Sequence, residues 1–457
     1  MSRLFGTDGV RGVANKKLTP ELAFQIGQAA GVLLLQEGAS RVVVARDTRR
    51  SGPMLGAALA AGFCSAGIDV DAIGVAPTAA ISYLVRTHGY GMGVVISASH
   101  NPAPDNGIKL FAPDGRKLPE AEERWIEEHL GRELEERPVG TGVGRLRQPS
   151  ELLEDYEQWL MGLCPRLEGM RLCVDAAHGA GYRAGVDILT RLGAEVVAHG
   201  VDPDGDNINV RCGATHPAHI QQATVACGAV LGIAYDGDAD RAVFSDGRGR
   251  LINGDRTMAI WARHEQAQGR LEPPVAVGTV MSNGGFEHFL SEQGIRLERA
   301  PVGDKYVAER IAETGARIGG EQSGHIIFPH LGPTGDGLAT ALELIRVLVE
   351  SGKSAADWYD QFENWPQVLI NLEVEHKQGW ETNPRISQAI AAAEARLADH
   401  GRVNVRASGT QPILRLMVEA DHESERDEVA DQLQAILLAE LGGHVYSRVD
   451  LTHALGD

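Results

Sequence analysis

Two polar segments of the chain carry side chains that suit phosphoryl transfer. The first follows the apolar residues 94–96 and contains Ser99 directly before His100. The second follows the apolar residues 230–235 and contains three aspartates at alternate positions: Asp236, Asp238 and Asp240. A serine hydroxyl can carry a phosphoryl group, and Mg²⁺ prefers oxygen ligands such as carboxylates. Together the segments predict phosphoryl transfer at a serine that lies beside a magnesium ion.

The spacing of the aspartates favours a metal site. In an extended segment, alternate side chains point to the same side, with neighbours about 6.8 Å apart. At an effective dielectric constant of ~20, each neighbouring pair then repels by about 2.4 kcal/mol, so an enclosed site needs a bound cation or a proton. A calcium-binding EF-hand loop is excluded, because Arg241 and Gly247 occupy the positions that require Gly and Glu. A solvated acidic turn remains the alternative.

Ser99 follows a strand predicted over residues 93–96, at the carboxyl end where α/β sheets bind ligands. Two alternatives remain open from the residues alone. Ser97 is a competing phosphoryl acceptor, and His100 could serve only to hydrogen-bond its own loop. Lys109 follows on another short apolar run.

Two further loops have the composition of ligand-binding loops. Residues 404–415 place two arginines beside a turn with two hydroxyls and a glycine, which are donors that suit a phosphate. The members of this loop are Arg406, Ser408, Gly409, Thr410 and Arg415. Residues 319–325 place Glu321 and Ser323 between glycines, which suits the hydroxyls of a sugar. An ordinary β-turn and an ordinary glycine-rich loop are the alternatives.

Bulk composition limits the classes of partner. The chain has 457 residues, which predicts about three domains, with two to four allowed. Its net charge is −19 and it has no run of five basic residues, so we expect no nucleic-acid partner. No stretch of ~18 apolar residues and no signal peptide occurs, so we expect no membrane span. Five cysteines without a CxxC pair predict a reduced, cytoplasmic protein.

Apolar strands and helices alternate along the first two thirds of the chain, which predicts an α/β layer fold. Thr19 before Pro20 marks the start of a helix, and residues 132–150 read as a linker. The alternation restarts near 171 and again near 275. After 366 a separate α+β unit is predicted, with helices over 384–399 and 423–441 and strands over 368–376, 402–406 and 413–420.

These ordered motifs, from Phe5-Gly6-Thr7-Asp8-Gly9 to Arg406-Ala407-Ser408-Gly409-Thr410, closely resemble the α-D-phosphohexomutase superfamily over essentially the whole chain. The resemblance implies four domains around a central cleft. Three of them are similar α/β domains, and the fourth is a smaller α+β domain. They carry the phosphoserine, metal, sugar and phosphate loops, and we expect them to span residues 1–148, 149–255, 256–366 and 367–457.

The resemblance also implies a role for each motif residue. Ser99 would be the phosphorylated serine, and its phosphate would join the three aspartates in binding Mg²⁺. The other catalytic residues would be Arg11, His100, Lys109 and Arg241. The substrate-binding residues would be Lys305, Glu321, Ser323, His325, Arg406, Ser408, Gly409, Thr410 and Arg415.

The implied activity is that of an isomerase-class intramolecular phosphotransferase in amino sugar metabolism and cell-wall precursor synthesis. It would interconvert glucosamine 6-phosphate and glucosamine 1-phosphate through a phosphoserine enzyme and a bisphosphate intermediate. The amino sugar is favoured by Gln322, a position where mannose and glucose enzymes more often carry Met. The alternatives are the same reaction on those neutral sugars, a non-catalytic sugar-phosphate-binding regulator, and a phosphatase. A homodimer is compatible with the resemblance.

Overall fold

The structure, a computed structural model, describes residues 3–6, 8–408 and 412–453. It contains four β-sheets that follow one another along the chain. The first three are α/β layers, and the fourth is an antiparallel sheet covered by two helices. The predicted fold class is therefore confirmed. Across the described ranges, no helix combines the length and the apolar composition needed to span a membrane.

The first sheet has six strands in the order β1-β5-β4-β2-β3-β6. The strands are β1 Val10–Val13, β2 Arg41–Arg46, β3 Asp69–Val75, β4 Met92–Ile96, β5 Asp105–Phe111 and β6 Leu146–Arg147. The helices are α1 Pro20–Gln36, α2 Gly52–Ser65, α3 Thr78–His88 and α4 Glu120–His129. All five residues of β4 are buried, as expected for a central strand with both faces covered. The predicted start of α1 is confirmed, since Thr19 Oγ1 accepts a hydrogen bond from the Leu22 N–H.

The second sheet has the order β11-β10-β9-β7-β8. Its strands are β7 Arg171–Asp175, β8 Glu195–His199, β9 Leu231–Tyr235, β10 Ala242–Asp246 and β11 Leu251–Ile252. Its helices are α5 Glu151–Met161, α6 Ala184–Arg191 and α7 Ala218–Cys227. Because β9 and β10 are antiparallel and adjacent, the chain between them must reverse direction in a tight turn.

The third sheet has the order β13-β12-β14-β15. Its strands are β12 Val275–Thr279, β13 Arg296–Ala300, β14 Gly319–Gly320 and β15 Ile326–Ile327. Its helices are α8 Gly254–Ala267, α9 Gly284–Glu292, α10 Asp304–Thr314, α11 Gly337–Ser351 and α12 Ala355–Tyr359. The segment between β14 and β15 is the glycine-bracketed loop that contains Glu321 and Ser323.

The fourth sheet has the order β17-β18-β16-β19. Its strands are β16 Gln367–Glu373, β17 Gly401–Ala407, β18 Ile413–Ala420 and β19 His444–Asp450, and its helices are α13 Pro384–Leu397 and α14 Glu423–Leu441. One continuous hydrophobic cluster, from Val43 to Trp358, connects the first three sheets. The fourth has a separate core of its own. The first three units are therefore packed as one body, whereas the fourth is attached through a smaller contact that includes Met281 and Met417.

Candidate active site

Ser99 lies two residues beyond the loop entry at Ser97 and faces the second sheet. Its Oγ donates a hydrogen bond to Asp236 Oδ2 at 2.7 Å and lies 3.4 Å from His100 Nδ1. Ser97 is engaged elsewhere, because its Oγ donates to Asp47 Oδ2 at 2.6 Å and accepts from the Ser99 N–H at 2.9 Å. Of the two serines, Ser99 is therefore the one whose hydroxyl meets the aspartates.

The three aspartates lie on the turn between β9 and β10, residues 236–241, which we call the aspartate turn. The expectation of an extended segment is wrong: the Ala239 N–H bonds back to the Asp236 carbonyl at 3.1 Å, and Ala239 has φ +56°. The reversal brings one oxygen of each carboxylate within 4.8 Å of the others, closer than an extended chain allows. Gly237 is required because a Cβ there would lie 2.4 Å from the Ser99 carbonyl oxygen.

The aspartate turn is a concentration of negative charge inside the protein. Burial, followed by the charges of Asp240 and Asp238, raises the pKa of Asp236 well above its usual value. Burial also acts to raise the pKa of Asp240, but His325 and Lys109 outweigh it and hold that pKa well below its usual value. Burial and Asp240 act to raise the pKa of Asp238, but Lys109 lowers it overall.

The donor set of the aspartate turn fits a divalent cation. Asp238 Oδ1 and Asp240 Oδ1 are buried, and no described residue offers either of them a hydrogen bond. A buried carboxylate oxygen without a partner is costly unless a cation binds it. Three carboxylates, with only oxygen atoms to offer, suit Mg²⁺ better than zinc or copper.

The first domain places Lys109 and His100 beside the aspartates. Lys109 on β5 is buried, and its Nζ lies 2.6 Å from Asp238 Oδ2 and 3.8 Å from Asp240 Oδ2. Burial acts to lower the pKa of Lys109, but Asp238 and Asp240 raise it overall, so the ammonium group stays charged. Burial, followed by the charges of Arg241 and Arg11, lowers the pKa of His100 and favours its neutral form.

The third sheet contributes His325, which is buried behind the aspartate turn. Its Nδ1 lies 3.6 Å from Asp240 Oδ1, and its Nε2 lies 3.9 Å from Asp304 Oδ2. Burial acts to lower the pKa of His325, but Asp240 raises it to about 9. The predicted substrate-binding residue His325 is therefore placed against a predicted metal ligand.

Ser323 and Arg241 line one cavity of about 370 Å³, together with Thr215 and His216 of the second sheet's loops. The neighbouring Glu321 accepts a hydrogen bond from the Gly303 N–H at 2.9 Å. The side chain of Gln322 is buried, and neither end of its amide has a hydrogen-bond partner among the described residues. Of these sugar-loop residues, Ser323 lines the same cavity as Arg241, whereas Glu321 and Gln322 do not.

The predicted phosphate loop lies on the fourth sheet. Arg406 on β17 and Arg415 on β18 are directly opposite each other in the antiparallel pair. Burial, followed by the charge of Arg415, lowers the pKa of Arg406. Like charges at such a position repel, so an anion between them would be stabilising. Ser408 is the last described residue before the turn, and the predicted residues Gly409 and Thr410 lie outside the described residues.

Lys305 is placed differently from the other predicted residues. Its Nζ forms an ion pair with Glu120 Oε1 at 2.7 Å, and the side chain is 42% exposed. It lines a cavity of about 370 Å³ between the first and third sheets, apart from the cavity that contains Arg241. Its role in substrate binding stays a prediction.

Sequence reasoning missed several side chains that hold the site together. Arg49 donates to three carbonyl oxygens of the Ser99 loop, and Asn209 donates to two of them. Thr78 donates from Oγ1 to Asp238 Oδ2 at 2.7 Å. Lys117 bridges Asp8 and Asp304. All lie in polar loops or at strand and helix ends. The polar residues 47–52, directly after β2, were the one feature of the sequence that could have indicated such a role.

Family models of phosphoglucomutase/phosphomannomutase match the chain in four segments. Domain I, an α/β/α domain, matches residues 2–137, and domain II, of the same type, matches 163–249. The α/β/α domain III matches 253–365, and the C-terminal domain matches 369–436. The domain boundaries expected from the sequence stay predictions.

Known proteins resemble the chain over nearly its full length. The phosphoglucosamine mutase of Symbiobacterium thermophilum is 48% identical over 446 residues, which cover 96% of this chain and 100% of that protein. A phosphoglucomutase/phosphomannomutase family protein of Burkholderia thailandensis has a TM-score of 0.81 at 26% identity, with 97% of this chain and 99% of that chain covered. The N-acetylphosphoglucosamine mutase of Aspergillus fumigatus, in complex with GlcNAc-6P and magnesium, has a TM-score of 0.64 at 18% identity, with 95% of each chain covered, and shows the same fold.

Proposed function

The chain belongs to the phosphoglucomutase/phosphomannomutase family, and we propose that it interconverts glucosamine 6-phosphate and glucosamine 1-phosphate. The observation that carries the proposal is the 2.7 Å contact between Ser99 Oγ and Asp236 Oδ2. It joins a hydroxyl from the first sheet to a carboxylate from the second, inside a buried site. The name of the 48%-identical relative supports the choice of amino sugar.

The reaction begins with a phosphoryl group on Ser99. The bond between Oγ and phosphorus breaks as the free hydroxyl of the bound sugar phosphate attacks, which yields a sugar bisphosphate. The hydroxyl proton passes to a base, and His100 suits this role because its lowered pKa keeps it neutral beside Ser99 Oγ. Lys109 and Arg241 remain cationic and stabilise the negative charge that the phosphoryl group carries.

The second half of the reaction is the reverse transfer from the other end of the sugar. The bisphosphate turns over within the cleft, and Ser99 Oγ attacks the phosphate that was present in the original substrate. The proton returns from His100 to the oxygen that loses its phosphate. Each cycle therefore restores phospho-Ser99 and consumes no external phosphate.

A bound Mg²⁺ would be held by Asp236, Asp238, Asp240 and an oxygen of phospho-Ser99. It would neutralise charge on the transferring phosphoryl group. One buried oxygen each of Asp238 and Asp240 has no hydrogen-bond partner among the described residues, which supports this assignment. Arg11 is a further cation near the site, since its charge acts on both His100 and Lys109.

Substrate recognition is divided between the third and fourth sheets. Glu321, Ser323 and the partnerless amide of Gln322 offer donors and acceptors to a hydroxyl or an amino group. Arg406 and Arg415 would clamp the phosphate that does not react, and Ser408 would add a hydroxyl donor. The clamp must accept the phosphate of either end of the sugar, because both monophosphates are substrates.

The chemistry and the sugar preference are tested by separate measurements. Ser99→Ala should abolish turnover while the thermal unfolding temperature stays near that of the wild type. Comparison of kcat/KM on the 6-phosphates of glucosamine, glucose and mannose should favour the amino sugar. A clear preference for a neutral sugar would contradict the choice of substrate, and wild-type turnover by Ser99→Ala would contradict the mechanism.

The partners and location follow from the same reasoning. A small sugar phosphate is the ligand that the cavity beside Arg241 would accept. The net charge of −19 argues against nucleic acid as a partner. A cytoplasmic location without a membrane partner fits a chain whose cysteines form no CxxC pair, and a homodimer is compatible with the family.

A further inference from the structure

Arg49 is a fully buried arginine whose guanidinium group binds the backbone of the Ser99 loop. Nη2 donates to the carbonyl oxygen of Ser99 at 2.9 Å and to that of Asn101 at 2.8 Å. Nη1 donates to the carbonyl oxygen of Pro102 at 2.6 Å. One side chain therefore fixes three carbonyl groups within four consecutive residues.

Asp47, two residues before Arg49, connects Arg49 to Ser97. Its Oδ2 accepts from Arg49 Nε at 2.8 Å and from Ser97 Oγ at 2.6 Å. Ser97 Oγ in turn accepts from the Ser99 N–H at 2.9 Å. Both backbone polar groups of Ser99 are thus held by one buried network. Burying an ion pair seldom adds net stability. We therefore assign the buried Asp47–Arg49 pair a role in fixing the geometry of the Ser99 loop.

The backbone of Ser99 needs such support. Its φ is +51°, a left-handed conformation that is uncommon for a residue other than glycine. A conformation of this kind persists only where surrounding contacts determine it, and it is frequent at functional sites. In this backbone conformation the Ser99 hydroxyl donates its hydrogen bond to Asp236.

The loop that carries Asp47 and Arg49 is attached to the domain that contains the aspartate turn. Thr48 Oγ1 donates to the His178 carbonyl at 2.5 Å, and the Arg50 N–H donates to the Gly205 carbonyl at 3.0 Å. From the opposite side, Asn209 Nδ2 donates to the Ser99 carbonyl at 2.9 Å. The Ser99 loop is therefore located relative to the second sheet as well as to its own.

We propose that Arg49 is a positioning residue that sets the distance between Ser99 Oγ and the aspartate turn, without itself touching substrate. The inference rests on the proposed function, since it assigns Arg49 to the phosphoryl-transfer step. Lysine would keep the charge beside Asp47 but lacks the planar fork that reaches three carbonyl oxygens and a carboxylate at once. Arg49→Lys therefore changes geometry more than charge.

The test compares Arg49→Lys with Arg50→Lys. Arg50 is the next residue in the chain, but its side chain is 72% exposed and pairs with a surface aspartate, Asp206. Misplacement of a reacting group by about 1 Å costs on the order of 100-fold in rate. We expect kcat of Arg49→Lys to fall by about that factor with KM close to the wild-type value, and the unfolding temperature to fall because buried carbonyl oxygens lose their donors. Arg50→Lys should match the wild type in all three.

A single-turnover measurement separates positioning from a general structural role. Protein phosphorylated on Ser99 is mixed with glucosamine 6-phosphate, and the rate of phosphoryl transfer is followed. Arg49→Lys should retain bound substrate and slow this transfer as much as it slows kcat. Wild-type transfer by Arg49→Lys would overturn the inference, whereas an inactive wild type would overturn the proposed function.

A second variant covers the case in which Arg49→Lys does not fold. Asn209 also has a positive φ, +60°, so Asn209→Gly keeps that backbone conformation and removes the donor to the Ser99 and Asn101 carbonyls. Its kcat should fall by about 10-fold at unchanged KM, since part of the support of the Ser99 loop is lost while Arg49 remains. Wild-type kcat in Asn209→Gly would then overturn the inference.

Discussion

The aspartate turn and a second carboxylate cluster have similar composition but different charge neutralisation. The second cluster, which we call the ion-pair cluster, lies between α8 and α11 and contains His264, Glu265 and Glu350. In both groups, one ligand-type atom of each residue lies within 4.8 Å of the others. The aspartate turn leaves two buried oxygens without a hydrogen-bond partner in the described structure, although His325 Nδ1 lies 3.6 Å from one of them. Two arginines surround the ion-pair cluster.

The ion-pair cluster uses its oxygens on protein cations. Arg270 donates to Glu265 Oε1 and Oε2 at 2.8 and 2.9 Å, and to Glu350 Oε2 at 2.8 Å. Arg346 donates to Glu265 Oε1 at 3.0 Å and to Glu350 Oε1 at 2.9 Å. His264 Nε2 lies 2.9 Å from Glu350 Oε2. Carboxylates that lie close together are therefore not sufficient for a metal site. Some of their oxygens must also have no hydrogen-bond donor from the protein.

The largest expected effect comes from substitution of Asp236 in the aspartate turn. Asp236→Asn should lower kcat by about three orders of magnitude, because a metal ligand and several kcal/mol of charge stabilisation are lost. The unfolding temperature of the metal-free protein should stay equal or rise, since burial and repulsion already disfavour the charge of Asp236. Turnover assays and thermal unfolding in EDTA check both effects. A large loss of stability with retained activity would assign Asp236 to the same structural class as Glu265.

Removal of Mg²⁺ should have the next largest effect. EDTA should abolish turnover, and Mg²⁺ should restore it. Because binding stabilises the folded state, Mg²⁺ at 100 times its dissociation constant should add about 2.7 kcal/mol of stability. This gain should be absent in Asp236→Asn and unchanged in Arg346→Met. A gain that persists in Asp236→Asn and grows in Arg346→Met would place the cation in the ion-pair cluster instead.

Arg346→Met should have the opposite pattern to Asp236→Asn. It leaves Glu265 and Glu350 with fewer cationic partners in a largely buried place, and loss of one partner from such a network costs about 3 kcal/mol. We expect a lower midpoint in urea unfolding with kcat within about twofold of the wild type, because Arg346 lies outside the catalytic site. A parallel loss of kcat in the folded variant would show that the clusters are coupled.

The smallest expected effect is a pH dependence of the ion-pair cluster. Burial acts to raise the pKa of Glu350, but hydrogen bonds from His264, Arg270 and Arg346 lower it to about 2. Its contribution to stability is therefore present above the usual glutamate pKa of 4.5 and lost as the pH falls towards 2. Because Glu350 is partly exposed, Glu350→Gln should reduce this acid loss by less than about 1 kcal/mol.

The control for this measurement removes the opposite trend of the aspartate turn. The raised pKa of Asp236 makes the folded metal-free protein gain stability as that carboxylate is protonated. Unfolding is therefore followed in EDTA with Asp236→Asn, alone and combined with Glu350→Gln. Identical pH profiles for the two proteins would mean that Glu350 has no shifted pKa.

The local sequence was sufficient to predict most helices and strands and the type of chemistry that each motif supports. The predicted helix over 423–441 coincides with α14, and the predicted strand over 413–420 coincides with β18. These elements have apolar residues at the period of their structure, so neighbours in the chain determine them. Strand β19, which ends the fourth sheet, was not predicted, because its residues are half or fully exposed and carry only a weak apolar pattern.

Local sequence was insufficient wherever distant residues determine a side chain's environment. The choice between Ser97 and Ser99 depends on Asp47, which is fifty residues before Ser97 in the chain. The tight aspartate turn depends on the pairing of β9 with β10 and on the positive φ of Ala239. The partner of Lys305 is Glu120 from another domain, which no local pattern indicates.

The most direct test of the central claim follows the phosphoryl group itself. Protein that carries radiolabelled phosphate on Ser99 is mixed with glucosamine 6-phosphate and Mg²⁺, and the products are separated within one turnover. We predict that the label leaves the protein and appears in the sugar bisphosphate and then in the sugar monophosphates. Label that stays on the protein, or that is released quantitatively as inorganic phosphate, would contradict a phosphoryl-transfer site built from Ser99 and the aspartate turn.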